Sequence, residues 1–295
     1  MNNNPSVAVL LAAHNGIRWI NELIDSIFHQ KEVDINIYIS VDISNDGTYE
    51  LCQNLAEKNI NISVLPYGNH FGCAAKNFFR LIIDKNLNGY DYISFADQDD
   101  IWFEDKLIDA INKLKASNSD GFSSDIISYW PKFNKRIPLK KSQPQKKYDH
   151  WFESPGPGCS YVLSIKSYNL FRKFILNNKR FLGLINSHDK LIYTFYRHND
   201  IKWIISANAK IFYRQHENNE FGANSTIKSK WNRIKKIKNN WFKNEVINQY
   251  ELVTNKKFNQ FIKSEKLTLQ IFNLRRKKLH SFIVWFLLCI GYFKK

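Results

Sequence analysis

The chain has 295 residues, 44% of them hydrophobic and 15% aromatic, enough apolar material for a packed core and too much for an intrinsically disordered chain. This length accommodates one large α/β domain, or one domain with an appended arm, and leaves little room for two full domains. The net charge of +16 is unevenly spread: residues 1–115 carry 9 Lys and Arg against 16 Asp and Glu, leaving 34 against 11 for residues 116–295. A basic tail suits nucleic acid, anionic lipid or phosphate-bearing substrates, and charge alone does not choose among them.

Cys52, Cys73, Cys159 and Cys289 are scattered, without the paired spacing that binds zinc or frames a disulfide scaffold, which fits a reducing compartment. Met1 to Ser6 is polar and lacks the basic-then-apolar pattern of a secretory signal, so a cytosolic location is expected.

Val7–Ala12 is a continuous apolar run, as expected of a strand buried on both faces. Ile17–Phe28 then places Ile17, Ile20, Leu23, Ile24, Ile27 and Phe28 on one helical stripe. The strand-then-helix pairing recurs three times: Ile35–Val41 with Thr48–Lys58, Ile62–Leu65 with Ala74–Asp84, and Tyr92–Ala96 with Phe103–Lys115. Such repetition predicts a parallel, doubly wound sheet whose ligands bind beyond the carboxyl ends of its strands. Ser117 to Pro157 reads as a loop-rich excursion with a basic run from Lys132 to Lys147. Regularity returns in Tyr161–Ser164, in helices near Tyr168–Leu176 and Leu191–Tyr196, and in a strand over Lys210–Tyr213.

The sharpest chemical signal is Asp97-Gln98-Asp99-Asp100 where an apolar strand ends. Carboxylates this close repel one another, and a hard divalent cation that bridges them to phosphate oxygens is the natural compensation. The competing reading is a helix start, with Asp99 and Asp100 facing the positive helix terminus. Asp42 stands at the end of the second strand, where it can accept hydrogen bonds from a nucleotide. Asp46-Gly47 reads as a turn into the next helix.

Ala13-His14-Asn15-Gly16, Asp42–Thr48, Asn69–Asn77 and Asp97–Trp102 resemble, in order and spacing, the motifs of family 2 glycosyltransferases of the rhamnosyltransferase type. The resemblance reaches to about Asn224 and continues in Ser187-His188-Asp189 and Tyr213-Arg214-Gln215-His216. It implies the GT-A fold, a Rossmann-like, mostly parallel mixed sheet flanked by helices, and a metal-dependent, inverting sugar transfer. Asp97-Gln98-Asp99 then supplies the Asp-x-Asp motif, with Mn²⁺ or Mg²⁺ held by Asp97, Asp99 and His216. Ala13, Asn15, Asp42, Asn77, Asp97, Gln98 and Arg214 fall on the donor side. Asp189 is the implied general base, which must take a proton from the acceptor hydroxyl as it attacks; on its residues alone Asp189 reads first as an exposed helix-capping acid, and the resemblance reverses that preference. Trp102, Gly158 and His188 fall on the acceptor side, Gly158 within a Pro-Gly-Pro-Gly turn that lets a ligand approach the backbone closely. The expected partners are a nucleotide sugar, dTDP-rhamnose or a UDP-sugar, and a lipid-linked glycan of a bacterial O-antigen or capsule. The chain departs from the family pattern at Val41 and Ile43, where Asp and Gly are usual, at His14, where Tyr is usual, and at Lys190, where an aromatic is customary.

Beyond residues 1–224, residues 225–295 form a basic, aromatic arm. Ile227, Trp231, Ile234, Ile237 and Trp241 recur every three or four positions among seven Lys and Arg, a pattern suited to an anionic membrane surface. Phe282–Phe293 is apolar yet too short to span a bilayer; it lies in the interface or packs on the domain, and the first is favoured. A peripheral position at the inner face of the plasma membrane follows. Two other classes compete: a nucleotidyltransferase, which lacks here its glycine-rich basic loop, and a basic nucleic-acid-binding protein, for which no fold signature appears, so no nucleic-acid partner is expected.

Overall fold

The computed structural model describes residues 4–216, 235 and 237–294. Strand β1 (Ser6–Ala13) buries Val7 to Ala13 because both faces of its sheet are covered by helices. It pairs in parallel with β2 (Asp34–Val41) on one side and β4 (Tyr92–Asp97) on the other, while β3 (Ile62–Val64) extends the sheet beyond β2. Helix α1 (Ile20–Phe28) covers one face with Ile20, Leu23, Ile24 and Ile27, each contributing about 1.5–3 kcal/mol on burial. It starts three residues later than its apolar stripe predicts, because the amides of Trp19 and Ile20 close a turn onto the Gly16 carbonyl. Helices α2 (Thr48–Lys58), α3 (Ala74–Asp84) and α4 (Lys106–Ser117) complete the expected alternation. The short β5 (Ile101–Trp102) precedes α4.

The segment from Ser117 to Pro157 differs from the loop-rich expectation. It contains β6 (Gly121–Ser124), β7 (Ile126–Trp130) and β8 (Lys135–Leu139), and then the single-turn α5 (Asp149–Phe152). The Gly-Phe-Ser-Ser of β6 carries little apolar signal, yet it is fully buried between neighbouring strands. Gly121 is held to glycine by the Trp203 ring, 2.2 Å from where a Cβ would stand. Beyond it come β9 (Val162–Ser164), α6 (Ile165–Asn177), α7 (His188–His198), β10 (Trp203–Ser206) and β11 (Ile211–Arg214).

Seven strands form one sheet in the order β10-β6-β9-β4-β1-β2-β3, with β9 antiparallel to both neighbours and the other pairs parallel. A second sheet, β5-β11-β7-β8, stands at the carboxyl end of the first. Strand order reverses at β1, so the crevice beyond β1, β2 and β4 is where this architecture places a ligand.

Of the stripe predicted over Ile227–Trp241, only Lys235 and residues from Ile237 onward are described. Asn240, at φ 56°, turns the chain immediately before α8 (Trp241–Thr254), which is followed by α9 (Phe258–Ser264) and α10 (Lys278–Cys289). Val246, Tyr250, Phe258, Val284, Leu288 and Phe293 share a core with Trp151 and Phe152 of α5 and with Tyr148 just before it. Val284, Leu287 and Leu288 thus pack inward, while Leu279, Phe282, Ile283, Phe286 and Ile290 of the same segment remain exposed.

Candidate active site

A cavity of about 740 Å³ opens at the strand ends. Its floor is built by backbone clamps. Gln98 donates from Nε2 to the His14 carbonyl and accepts at Oε1 from the His14 amide, both at 2.7 Å. A Cβ on Gly16 would lie 2.3 Å from that Oε1, so glycine is required for the clamp. Asn77 donates to the carbonyls of Ala13 at 3.3 Å and Ser40 at 3.0 Å, tying β1 to β2, and its buried Oδ1 has no hydrogen-bond partner. Asp42 accepts from the amides of Ile43, Phe71 and Gly72, each at 2.8 Å, and so fixes the loop before α3 around the cavity. Asp46 accepts from the amides of Thr48 and Ile17, the turn chemistry expected of it.

Asp97 ends β4 in register with Ala12. Asp99 Oδ2 lies 2.7 Å from His216 Nε2, and Arg214 Nε donates to the Asp99 carbonyl at 2.9 Å. The His216 ring stacks on Trp19, with centroids 4.1 Å apart. Ligand atoms of Asp97, Asp100 and Cys159 also lie within 4.8 Å of one another. Asp100 and Cys159, however, sit behind the cavity wall: burial, then the charges of Asp99 and Asp97, raises the Asp100 carboxyl well above the carboxylate range, and burial raises the Cys159 thiol. A neutral thiol is a poor ligand for a hard cation. Asp97, Asp99 and His216 line the cavity with two carboxylates and an imidazole, which are hard-cation donors, but these three are not among the described groups whose ligand atoms all lie within 4.8 Å of one another.

The first turn of α7 brings His188, Asp189 and Lys190 to the same cavity. Burial raises the Asp189 carboxyl to about 6, against the opposing pull of the Lys190 amide, which donates to Oδ1 at 2.8 Å, and of the Ser154 hydroxyl. His188 is kept neutral by burial, which lowers it to about 3, and its ring lies 4.1 Å from that of Phe78. Gly158 faces this ring, and a Cβ there would meet His188 Nε2 at 2.5 Å.

Ala13, Asp42, Asn77, Asp97, Gln98, Asp99, Gly158, His188, Asp189 and His216 are therefore brought together on one cavity. Asn15, Trp102 and Arg214 are not among its lining residues. Asn15 accepts from the Asn45 amide at 3.0 Å, Trp102 is buried under Lys106 Nζ at 3.3 Å from its ring centroid, and Arg214 braces Asp99 and Glu22. Lys141, Ser154 and Lys190 line the cavity without having been singled out as site residues by sequence reasoning. Lys141 and Ser154 lie in the segment that reads as loop, where a basic run was the one available signal.

A doubly wound sheet with an acidic, nucleotide-sized cavity at its switch point is the architecture of a GT-A glycosyltransferase. Residues 8–182 match the family model for glycosyl transferase family 2, and the chain belongs to that family. It is 40% identical over 291 residues to the dTDP-rhamnosyl transferase RfbG of Shigella flexneri, covering 96% of this chain and all of that one. Among solved structures, it superposes with a TM-score of 0.56 on the mannosyltransferase PcManGT of Pyrobaculum calidifontis in complex with GDP-Man and Mn²⁺, at 13% identity, covering 99% of this chain and 73% of that one. The S. aureus TarS structure in complex with UDP gives a TM-score of 0.54 at 14% identity, over 94% and 68% of the respective chains. These structures share the fold.

Proposed function

We propose that this glycosyltransferase moves rhamnose from dTDP-rhamnose to a hydroxyl of a lipid-linked glycan during assembly of a bacterial surface polysaccharide, by an inverting, cation-dependent displacement. The observation that carries the donor assignment is the 40% identity to a dTDP-rhamnosyl transferase along the entire length of that relative. The pyrimidine would lie against β1 and β2, where the orphaned Asn77 Oδ1 offers an acceptor to a base N–H. Asp97, Asp99 and His216 would hold the cation, which when bound supplies positive charge as negative charge grows on the leaving diphosphate. Arg214 holds the Asp99 backbone in place for this. Asp189, ionised at neutral pH, takes the proton of the attacking hydroxyl, and a single displacement inverts the anomeric centre.

The lipid-linked acceptor is supported by the outward face of α10. Leu279, Phe282, Phe286 and Ile290 are exposed together, with Lys277, Lys278 and Lys294 exposed at its two ends. Among the described residues no helix is long and apolar enough to cross a membrane, so this face would lie in the interface of an anionic bilayer. The deciding experiment incubates purified protein with dTDP-rhamnose, UDP-hexoses and GDP-mannose, with Mn²⁺ or with excess EDTA. Consumption of dTDP-rhamnose alone, dependent on the cation, is expected; equal use of another donor, or full turnover in EDTA, refutes the assignment.

A further inference from the structure

Lys190 occupies the first turn of α7, next to Asp189. Its side chain is 7% exposed and lines the cavity, and its Nζ is buried without a hydrogen-bond partner. The carboxylates of Glu245 and Asp189 and the guanidinium of Arg275 act on it by charge. Glu245 is already committed elsewhere, accepting from the Asn186 amide at 3.1 Å and from Gln249 Nε2 at 2.6 Å. Asp189 Oδ1 accepts from the Lys190 amide. An ammonium taken out of water with no acceptor is unfavourable, and it persists most easily where a ligand supplies the missing oxygen. Lys141 lines the same cavity, its backbone fixed by Asp125, which accepts from the amides of Lys141 and Ser142. The amino-terminal end of α7 adds the positive end of its dipole to this region.

We propose that Lys190, assisted by Lys141 and the first turn of α7, forms an anion subsite that recognises a phosphate or carboxylate on the acceptor. It rests on the reading of the cavity as a glycosyltransferase site with Asp189 at its acceptor end. The donor diphosphate is served by Asp97, Asp99 and His216, so the cation beside the base reads a different anion. A lipid diphosphate close to the accepting sugar and an acidic sugar within the glycan offer the same chemistry.

The full-length protein is assayed with dTDP-rhamnose and three acceptors built on one sugar: a neutral alkyl glycoside, its glycosyl phosphate ester, and the corresponding uronate glycoside. The wild type should show at least about tenfold higher kcat/KM for one charged acceptor than for the neutral one, expressed in KM, as one charge-assisted hydrogen bond provides. A preference for the phosphate identifies the lipid diphosphate as the source, and a preference for the uronate identifies an acidic sugar. Lys190→Met should collapse the ratio to within about threefold, and Lys190→Arg should retain it. A wild-type ratio near one overturns the inference, as does a Lys190→Met protein whose KM rises for the nucleotide sugar rather than the charged acceptor. Should Lys190→Met fail to fold, the wild-type ratio and its reduction in Lys141→Met decide. Transfer to the neutral glycoside with no charge preference leaves the enzyme reading standing while the subsite falls; no transfer from any nucleotide sugar removes both.

Discussion

With Asp189 as the proposed base, this residue and the groups touching it set the expected pH response. Its folded carboxyl titrates at about 6, above the ordinary 3.8, so the base form accumulates as pH rises through about 6. Transfer should therefore climb by about tenfold per pH unit below that value and level off above it; a flat profile across this range would remove Asp189 as the base. The same shift means that ionised Asp189 is disfavoured in the fold, a destabilisation absent at low pH and present once pH exceeds the folded value. Asp189→Asn should then hold or raise Tm at neutral pH while transfer falls about 10²-fold or more and donor affinity stays nearly intact. Joint loss of donor affinity and Tm would mark a scaffold residue instead. At Gly158 the constraint is steric: a Cβ 2.5 Å from His188 Nε2 forces the buried ring to move. Gly158→Ala should cost about 1–3 kcal/mol in denaturant unfolding, and an unchanged midpoint would show that the ring has room.

The helices of the arm are tied to the site by named contacts. Glu245 of α8 accepts from Asn186, two residues before α7, and Arg276 reaches both Asp149 and Glu153. Asp149 is fully buried and also meets Arg197 at 3.1 Å and the hydroxyl of Tyr193 at 3.2 Å. An arm independent of residues 1–224 would let truncation after Asn224 spare donor hydrolysis. The shared core predicts otherwise: removing α8 to α10 uncovers Trp151 and Phe152 and leaves Asp149 without Arg276. Truncation should lower Tm by well over 10 °C or prevent folding, given about 3–5 kcal/mol for a broken buried ion pair alone. A truncated protein melting like the full chain would show the arm to be independent.

At the scale of the molecule, charge and exposed apolar surface act together. The outward residues of α10 make no part of the shared core, so Phe282→Glu with Phe286→Glu should leave Tm within a few degrees. The same pair should abolish flotation with anionic liposomes, and wild-type flotation should weaken with salt as the roughly 1 kcal/mol contributed by each surface lysine is screened. Failure of the wild type to float with anionic vesicles at low salt would end the membrane reading.

The alternation of fully apolar strands with striped helices up to Lys115 was legible in the sequence because each pattern is local, a run or a period imposed by burial on a regular backbone. The Asp97–Asp99 and Asp42 signals stood out by residue type and by their place at strand ends, whereas Asp189 was singled out by the family resemblance and reads, on its residues alone, as a capping acid. Strands β6 to β8 were not, since Gly121, Ser123 and Ser124 are buried by neighbours remote in sequence rather than by their own hydrophobicity. Nor was the ambiguity of Phe282–Phe293 resolvable, because an apolar segment does not declare what covers it. Only the tertiary structure divided α10 into a face that joins the shared core through Val284, Leu287 and Leu288 and a face left open. It alone placed Lys141 on the cavity of Asp189 and Lys190, since residues far apart along the chain share a site only when the fold brings them to it.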